Sequence, residues 1–211
     1  MVLSFTDVDH TIHSVMSARK RRPGRYRRET RSTCSTPRDH GHMPSTASAA
    51  RELQDRAALW SIGEISATDI VTGACDALVD GLDSPALRTL AACTRAEAMY
   101  DVPELLPPAL LELGLTFYPF DGVAGRGAAA RALAARMLAG ELSPRELAFR
   151  VHQHFGHELP LAERLAELDD AYDTLAYGDR TPAQLDADVR AEALRLVRHP
   201  RVSTDPTDAP T

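Results

Sequence analysis

The chain has 211 residues, of which 44% are hydrophobic and 26% are charged, as in ordinary globular proteins. No run approaches the roughly 18 consecutive apolar residues of a membrane-spanning helix, and the three cysteines show no CxxC spacing, which argues against a disulfide framework or a zinc knuckle. We therefore expect a cytoplasmic protein that needs no cofactor to fold.

Charge is divided unevenly along the chain. Residues 1–50 carry nine Lys and Arg against four Asp and Glu, whereas residues 51–211 carry fifteen against twenty-six. An acidic body repels nucleic-acid phosphates and anionic lipid surfaces. We therefore expect its partner to be another protein, with a basic surface, and we expect no membrane partner.

Residues 1–46 are predicted to form a disordered basic tail. The run from Arg19 to Arg28 is followed by Ser, Thr, Pro and His residues with almost no apolar side chains to bury. The run suits a nucleic-acid tether in which Tyr26 stacks on a base, or it is simply a loose terminus. A third interpretation is that translation starts at Met43 rather than Met1, because the helical pattern begins a few residues after Met43.

From residue 47 to residue 199 we predict a single helical domain, because helix start and stop signals recur seven or eight times. Ser66 and Ser84 are expected to cap the second and third helices, and Thr94 to begin a short turn with Glu97. The first predicted helix is Ala47–Trp60. The second ends at Val79 and carries the apolar stripe Val71, Cys75, Leu78 and Leu82. The third runs from Pro85 to Ala92, and the fourth begins at Pro103 and ends at Gly114.

The segment Leu115–Gly127 is predicted to be the longest connection in the body. It contains Phe117, Tyr118 and Phe120 together with three glycines. The segment is either a partner-binding loop or a connection that places its aromatic rings in the core. We favour the second interpretation.

The second half repeats the helical signals. Ser143-Pro144 is the strongest helix start, because it combines an N-cap, a proline at the first position and a capping box with Glu146. Residues 200–211 are predicted to be a disordered, polar end. The first expected helix is Ala128–Ala139, and the next, which begins at Ser143-Pro144, buries Leu147, Val151 and Phe155. A third helix is expected to begin at Pro160 and end at Gly178, with Leu161, Leu165, Leu168, Tyr172 and Leu175 facing inward. The last is expected to run from Thr181 to His199, with Leu185, Val189, Ala193 and Leu196 facing inward.

No stretch of the sequence alternates apolar and polar residues over the length of a strand, and no Asn-Gly or Asp-Gly hairpin turn occurs. The predicted fold is therefore all-α, an irregular bundle of seven or eight short helices.

A histidine cluster at His152, His154 and His157 is the first candidate for chemistry, since imidazole is a common metal ligand. At 100° per residue, His154 lies about 160° around a helix from His152, so these two cannot share a metal. His154 and His157 remain candidate ligands, with Asp169 and Asp173 as carboxylates from the acidic stretch. The simpler interpretation is that the histidines flank the negative end of a helix.

The acidic stretch that includes Asp169, Asp170 and Asp173 is the second candidate. It is consistent with a cation site, with a carboxylate pair for acid–base chemistry, or with a solvated face. We favour a negatively charged docking surface for a basic partner, with Tyr177 at its rim.

No complete catalytic set occurs, because GxSxG, GxGxxG and P-loop patterns are all missing from the sequence. The sequence favours a protein-binding module of the adaptor or immunity kind rather than an enzyme. One alternative is a metal-dependent enzyme that uses the His152–His157 and Asp169–Asp173 region. The other is nucleic-acid tethering through the basic tail.

Overall fold

A computed structural model describes residues 45–198 of the protein. In this part of the chain all regular structure is helical, which confirms the predicted all-α bundle of seven or eight helices. The predicted tail and C-terminal end, with the stop at His199, lie outside the described residues except for Ser45 and Thr46. The helices are α1 (Thr46–Ser61), α2 (Ala67–Val79), α3 (Pro85–Ala91), α4 (Ala98–Glu112), α5 (Val123–Leu138), α6 (Pro144–Phe155), α7 (Glu163–Asp173) and α8 (Pro182–Arg198), with a 3-10 turn at Leu175–Tyr177.

The predicted caps form where the sequence places them. The Ser66 hydroxyl accepts a hydrogen bond from the Asp69 N–H at the start of α2, and the Asp69 carboxylate accepts one from the Ser66 N–H. Ser143 and Glu146 form the same capping box at α6. Each box satisfies two backbone donors that the first helical turn leaves without partners.

The buried side chains form two cores that meet on α1. Leu53 and Ala57 of α1 pack with α2, α3 and α4, whereas Ala58 and Leu59 pack with α5, α6, α7 and α8. We call these the α2–α4 core and the α5–α8 core. Helix α1 serves both because its buried residues occupy two sides of one cylinder.

The α5–α8 core follows the predicted stripes closely. Leu147, Val151 and Phe155 of α6 are buried. All four predicted inward residues of α8 are also buried, as are Leu165, Leu168 and Tyr172 of α7. The predicted ends of the α7 stripe, Leu161 and Leu175, lie beyond the helix and are half-buried.

The predicted stripe of α2 is wrong by about one residue of rotation. Ile70, Ala74 and Ala77 are buried, while Cys75 is exposed and Val71 is half-buried. The physical reason is size, since small side chains let α2 approach α1 closely. A Cβ on the buried Gly73 would lie 2.6 Å from Cδ of Arg56 in α1.

Helix α4 begins at Ala98, five residues before the predicted start at Pro103. Three prolines therefore lie inside the helix, at 103, 107 and 108. An interior proline removes a backbone hydrogen bond and costs about 3 kcal/mol. Burial of Val102, Leu106 and Leu110 in the α2–α4 core offsets this cost.

The connection before α5 is shorter than predicted, because α5 begins at Val123. Tyr118 packs against the α5–α8 core, as expected, but Phe117 and Phe120 are exposed. Phe120 instead forms a T-shaped pair with Trp60, with ring centroids 5.4 Å apart. The prediction that this segment places its aromatic rings in the core is therefore confirmed for Tyr118 and wrong for Phe117 and Phe120.

Helix α7 is shorter than predicted at both ends. A turn separates Pro160 from the first residue of the helix, Glu163, and the 3-10 turn lies between its last residue, Asp173, and Gly178.

None of the described helices combines the length and the apolar character needed to cross a bilayer.

Candidate functional site

The histidine cluster lies where α6 ends and the chain turns toward α7. Gly156 follows the last residue of α6 with φ 54° and ψ −139°, a conformation that favours glycine. The turn returns His157 to the side of His152, so that the two ring centroids are 5.0 Å apart. A local backbone feature thus pairs two imidazoles that are five positions apart in sequence.

His152 is held by the acidic stretch of α7. Its Nδ1 lies 3.0 Å from Oδ2 of Asp169 and 3.8 Å from Oδ1 of Asp170. Asp169 is buried, with 8% of its surface exposed. Its carboxylate therefore contacts the imidazole and is shielded from solvent.

His157 contacts two carboxylates with its two ring nitrogens. Nδ1 lies 2.9 Å from Oε1 of Glu163, and Nε2 lies 3.2 Å from Oδ2 of Asp170. The hydrogen bond with Glu163, together with the charges of Glu163 and Asp170, raises the pKa of His157 above its ordinary value. One nitrogen of each imidazole and one oxygen of Asp170 all lie within 4.8 Å of one another.

His154 lies apart from this group, on another face of α6. Its Nε2 is 2.9 Å from Oε2 of Glu64, in the connection between α1 and α2, and Arg150 binds the other oxygen of the same carboxylate. The separation of His152 and His154 agrees with the helical geometry predicted for them. The structure therefore does not bring His154 together with His157, because its imidazole is already bound to a different carboxylate.

The remaining predicted residues are dispersed over the outer surface. Asp173 lies 3.7 Å from an Arg145 nitrogen, with both side chains exposed, and is not part of the histidine group. Tyr177 is 92% exposed. Of the predicted docking surface, Asp170, Asp173 and Tyr177 reach solvent, whereas Asp169 does not, because it lies beneath His152.

The outer side of α4 carries an apolar surface that the sequence interpretation missed. Met99, Tyr100 and Leu111 are 74%, 77% and 78% exposed. At 100° per residue the whole stripe spans about 120° of the helix and about 18 Å of its length. We call this stripe the α4 face; it comprises Met99, Tyr100, Pro103, Pro107 and Leu111.

The α4 face lies in an acidic part of the described chain. Residues 67–112 contain two arginines and eight carboxylates, and one of those arginines, Arg88, is paired with Asp83. On the helical wheel, Asp101, Glu104 and Glu112 border the face on its solvent side. The surface is thus apolar along its centre and negative along one edge.

A second group of potential ligands, Cys93, Glu97 and Asp101, lies at the start of α4. Partial burial, with the nearby carboxylates of Asp101 and Glu97, raises the pKa of the Cys93 thiol. Glu97 already accepts hydrogen bonds from the N–H and hydroxyl of Thr94. A protonated thiol is a poor metal ligand, so metal binding by this group would require loss of the Cys93 proton.

Comparison of the chain with protein-family models, with curated proteins and with solved structures gives no match. Functional inference therefore rests on the geometry of these surfaces.

Proposed function

We propose that the protein is a protein-binding module of the adaptor or immunity kind, and that its α4 face binds a basic amphipathic helix. The supporting observation is the exposure of three large apolar side chains on one helix, each above 70%. Contiguous apolar surface of this kind marks interaction sites in proteins. Tyrosines such as Tyr100 are enriched among the few residues that supply most of the binding energy of an interface, and Leu111 adds an apolar contact one helical turn beyond Pro107.

The shape of the α4 face suits a helical partner. Tyr100, Pro103, Pro107 and Leu111 follow one another at steps of three and four residues, so they form a straight ridge along α4. A partner helix of about twelve residues would match the 18 Å length of this ridge. Apolar side chains at the same spacing on the partner would pack against it.

The charge around the α4 face favours a basic partner. Three carboxylates border its solvent side, and the prolines add free acceptors. Because Pro103, Pro107 and Pro108 have no N–H, the carbonyls of Met99, Pro103 and Glu104 lose their usual helical donors. Lysine or arginine side chains on the partner would interact with both kinds of oxygen.

We also propose a cytoplasmic location. The cysteines among the described residues, Cys75 and Cys93, are free thiols. Free thiols of this kind are typical of a reducing compartment.

The test uses two synthetic 18-residue amphipathic helices with the same leucine stripe, one carrying lysines on its polar side and the other glutamates. We expect the full-length protein to bind the lysine peptide, and Tyr100→Glu or Leu111→Glu to weaken binding at least tenfold. Val123→Glu is the matched control, since Val123 is 81% exposed outside the α4 face and the charge change is the same.

Binding is measured by fluorescence anisotropy, with circular dichroism to confirm that each variant is folded. Equal loss of binding in Val123→Glu and Tyr100→Glu would show a general charge effect and reject the α4 face. Failure of the wild-type protein to bind the lysine peptide, or equal binding of the glutamate peptide, would also reject it.

A further inference from the structure

The cluster formed by His152, His157 and Asp170 has the composition of a transition-metal site. It offers two imidazole nitrogens and one carboxylate oxygen within 4.8 Å of one another. Bonds from zinc or a similar ion to these ligands are about 2.0–2.2 Å long, so ligand atoms around one ion lie about 3.0–3.5 Å apart. Closing a gap of up to 4.8 Å to this spacing takes a shift of about 1–2 Å. The side chains of His157 and Asp170 are about half exposed and have room to make it.

Each imidazole is oriented by a carboxylate on its Nδ1. Asp169 lies 3.0 Å from Nδ1 of His152, and Glu163 lies 2.9 Å from Nδ1 of His157. Metal-binding histidines in proteins are usually held in this way, with one nitrogen on a carboxylate and the other on the metal. Metal binding through Nε2 would keep both of these contacts, and Nε2 of His157 already lies 3.2 Å from Oδ2 of Asp170.

The electrostatics of the cluster favour a cation. Glu163, Asp169 and Asp170 contribute three carboxylates, and within residues 45–198 no arginine forms an ion pair with any of them. His152 also lies in the last turn of α6, where the helix dipole is negative. A divalent ion would relieve the repulsion among these charges.

The ligand set selects the class of metal. Two imidazoles with one carboxylate suit Zn²⁺, Co²⁺, Ni²⁺ or Fe²⁺, whereas Ca²⁺ and Mg²⁺ prefer oxygen ligands alone. Three protein ligands at an exposed position leave at least one coordination position for water or a partner's side chain.

We propose that His152, His157 and Asp170 bind one divalent transition-metal ion, and that Asp169 and Glu163 position the two imidazoles. This site differs from the ligand set expected from sequence, because it uses His152 and Asp170 in place of His154, Asp169 and Asp173. It lies on α6 and α7, away from the α4 residues proposed to bind a protein. The two proposals therefore succeed or fail independently.

The experiment is a Co²⁺ titration of the full-length protein, followed by the visible d–d absorption of bound Co²⁺ and by calorimetry. We expect one site in the wild-type protein, and we expect His157→Gln to weaken binding more than 100-fold. His154→Gln is the matched control, because it makes the same substitution three residues earlier, on α6, at a histidine that binds Glu64 and not the cluster. The histidines at positions 10, 13, 40, 42 and 199 remain in every variant, so the difference between the two variants isolates the cluster.

Asp169→Asn and Glu163→Gln test the positioning role. Each should weaken Co²⁺ binding about 10- to 100-fold without abolishing the d–d absorption. The proposal is overturned if His154→Gln and His157→Gln bind Co²⁺ alike, or if the wild-type protein shows no saturable absorption below millimolar Co²⁺. If both positioning variants bind as tightly as the wild type, the assignment of Asp169 and Glu163 is wrong.

Discussion

At the scale of single residues, two buried glycines of α5 have different roles. A Cβ at Gly125 would lie 2.9 Å from Oγ of Ser61 and 3.1 Å from Cβ of Tyr118. Ser61 is fully buried, and its hydroxyl donates to the carbonyl of Ala58 at 2.8 Å. Gly125 therefore lets the first turn of α5 pack directly against the end of α1.

We predict that Gly125→Ala destabilises the protein by about 1–3 kcal/mol, because the overpacking outweighs the gain in helix propensity. Gly127→Ala is the control, since the nearest atom to its added Cβ is Cδ2 of Leu161 at 3.6 Å, an ordinary contact. It should stabilise the protein by up to about 1 kcal/mol. Urea denaturation measures both, and equal effects would refute the role given to Gly125.

At the scale of elements, α4 is held in place by one face and weakened by the other. Its buried residues are apolar and lie in the α2–α4 core, while its prolines are exposed or half-exposed. Proline is favoured at the first helical position, and the sequence therefore predicts a helix start at Pro103. Tertiary burial of Ala98 and Val102 extends the helix past that local preference.

We predict that Pro107→Ala stabilises the protein by about 1–2 kcal/mol. The new N–H can donate to the carbonyl of Pro103, and the more flexible unfolded chain offsets only part of this gain. The thermal midpoint should rise by about 2–6 °C. Pro85→Ala is the control, because Pro85 occupies the first position of α3, where a missing N–H costs nothing. Equal shifts in the two variants would contradict this account of α4.

At the scale of the whole molecule, Glu64 ties the connection between α1 and α2 to the α5–α8 half. Its side chain is 8% exposed and binds His154 and Arg150 of α6, with Arg136 of α5 at 3.9 Å. One carboxylate thus contacts side chains from two other helices, two of them arginines. This arrangement links the start of the α2–α4 half to the opposite core.

We predict that Glu64→Gln destabilises the protein by about 1–3 kcal/mol, because it removes the carboxylate that pairs with the partly buried Arg150. The value is below that of a fully buried pair, since Arg150 is about one-third exposed. Glu158→Gln is the control, because the Glu158 carboxylate is 79% exposed in its pair with Arg126, against 8% for Glu64, and its loss should change stability by less than about 0.5 kcal/mol. Denaturant titration of both variants makes the comparison, and similar losses would refute the linking role.

The sequence by itself determined the helical class, most helix ends and the buried stripes of α6 and α8, because caps and periodicity depend on residues within one or two turns. Only the tertiary structure decided which face of α2 is buried, how far α4 extends before Pro103, and which histidines lie close to one another. His154 meets Glu64 across 90 positions of the chain, and His152 meets His157 only because Gly156 turns the backbone and α7 packs beside α6. Contacts of this kind depend on how separate helices pack, which local spacing does not encode.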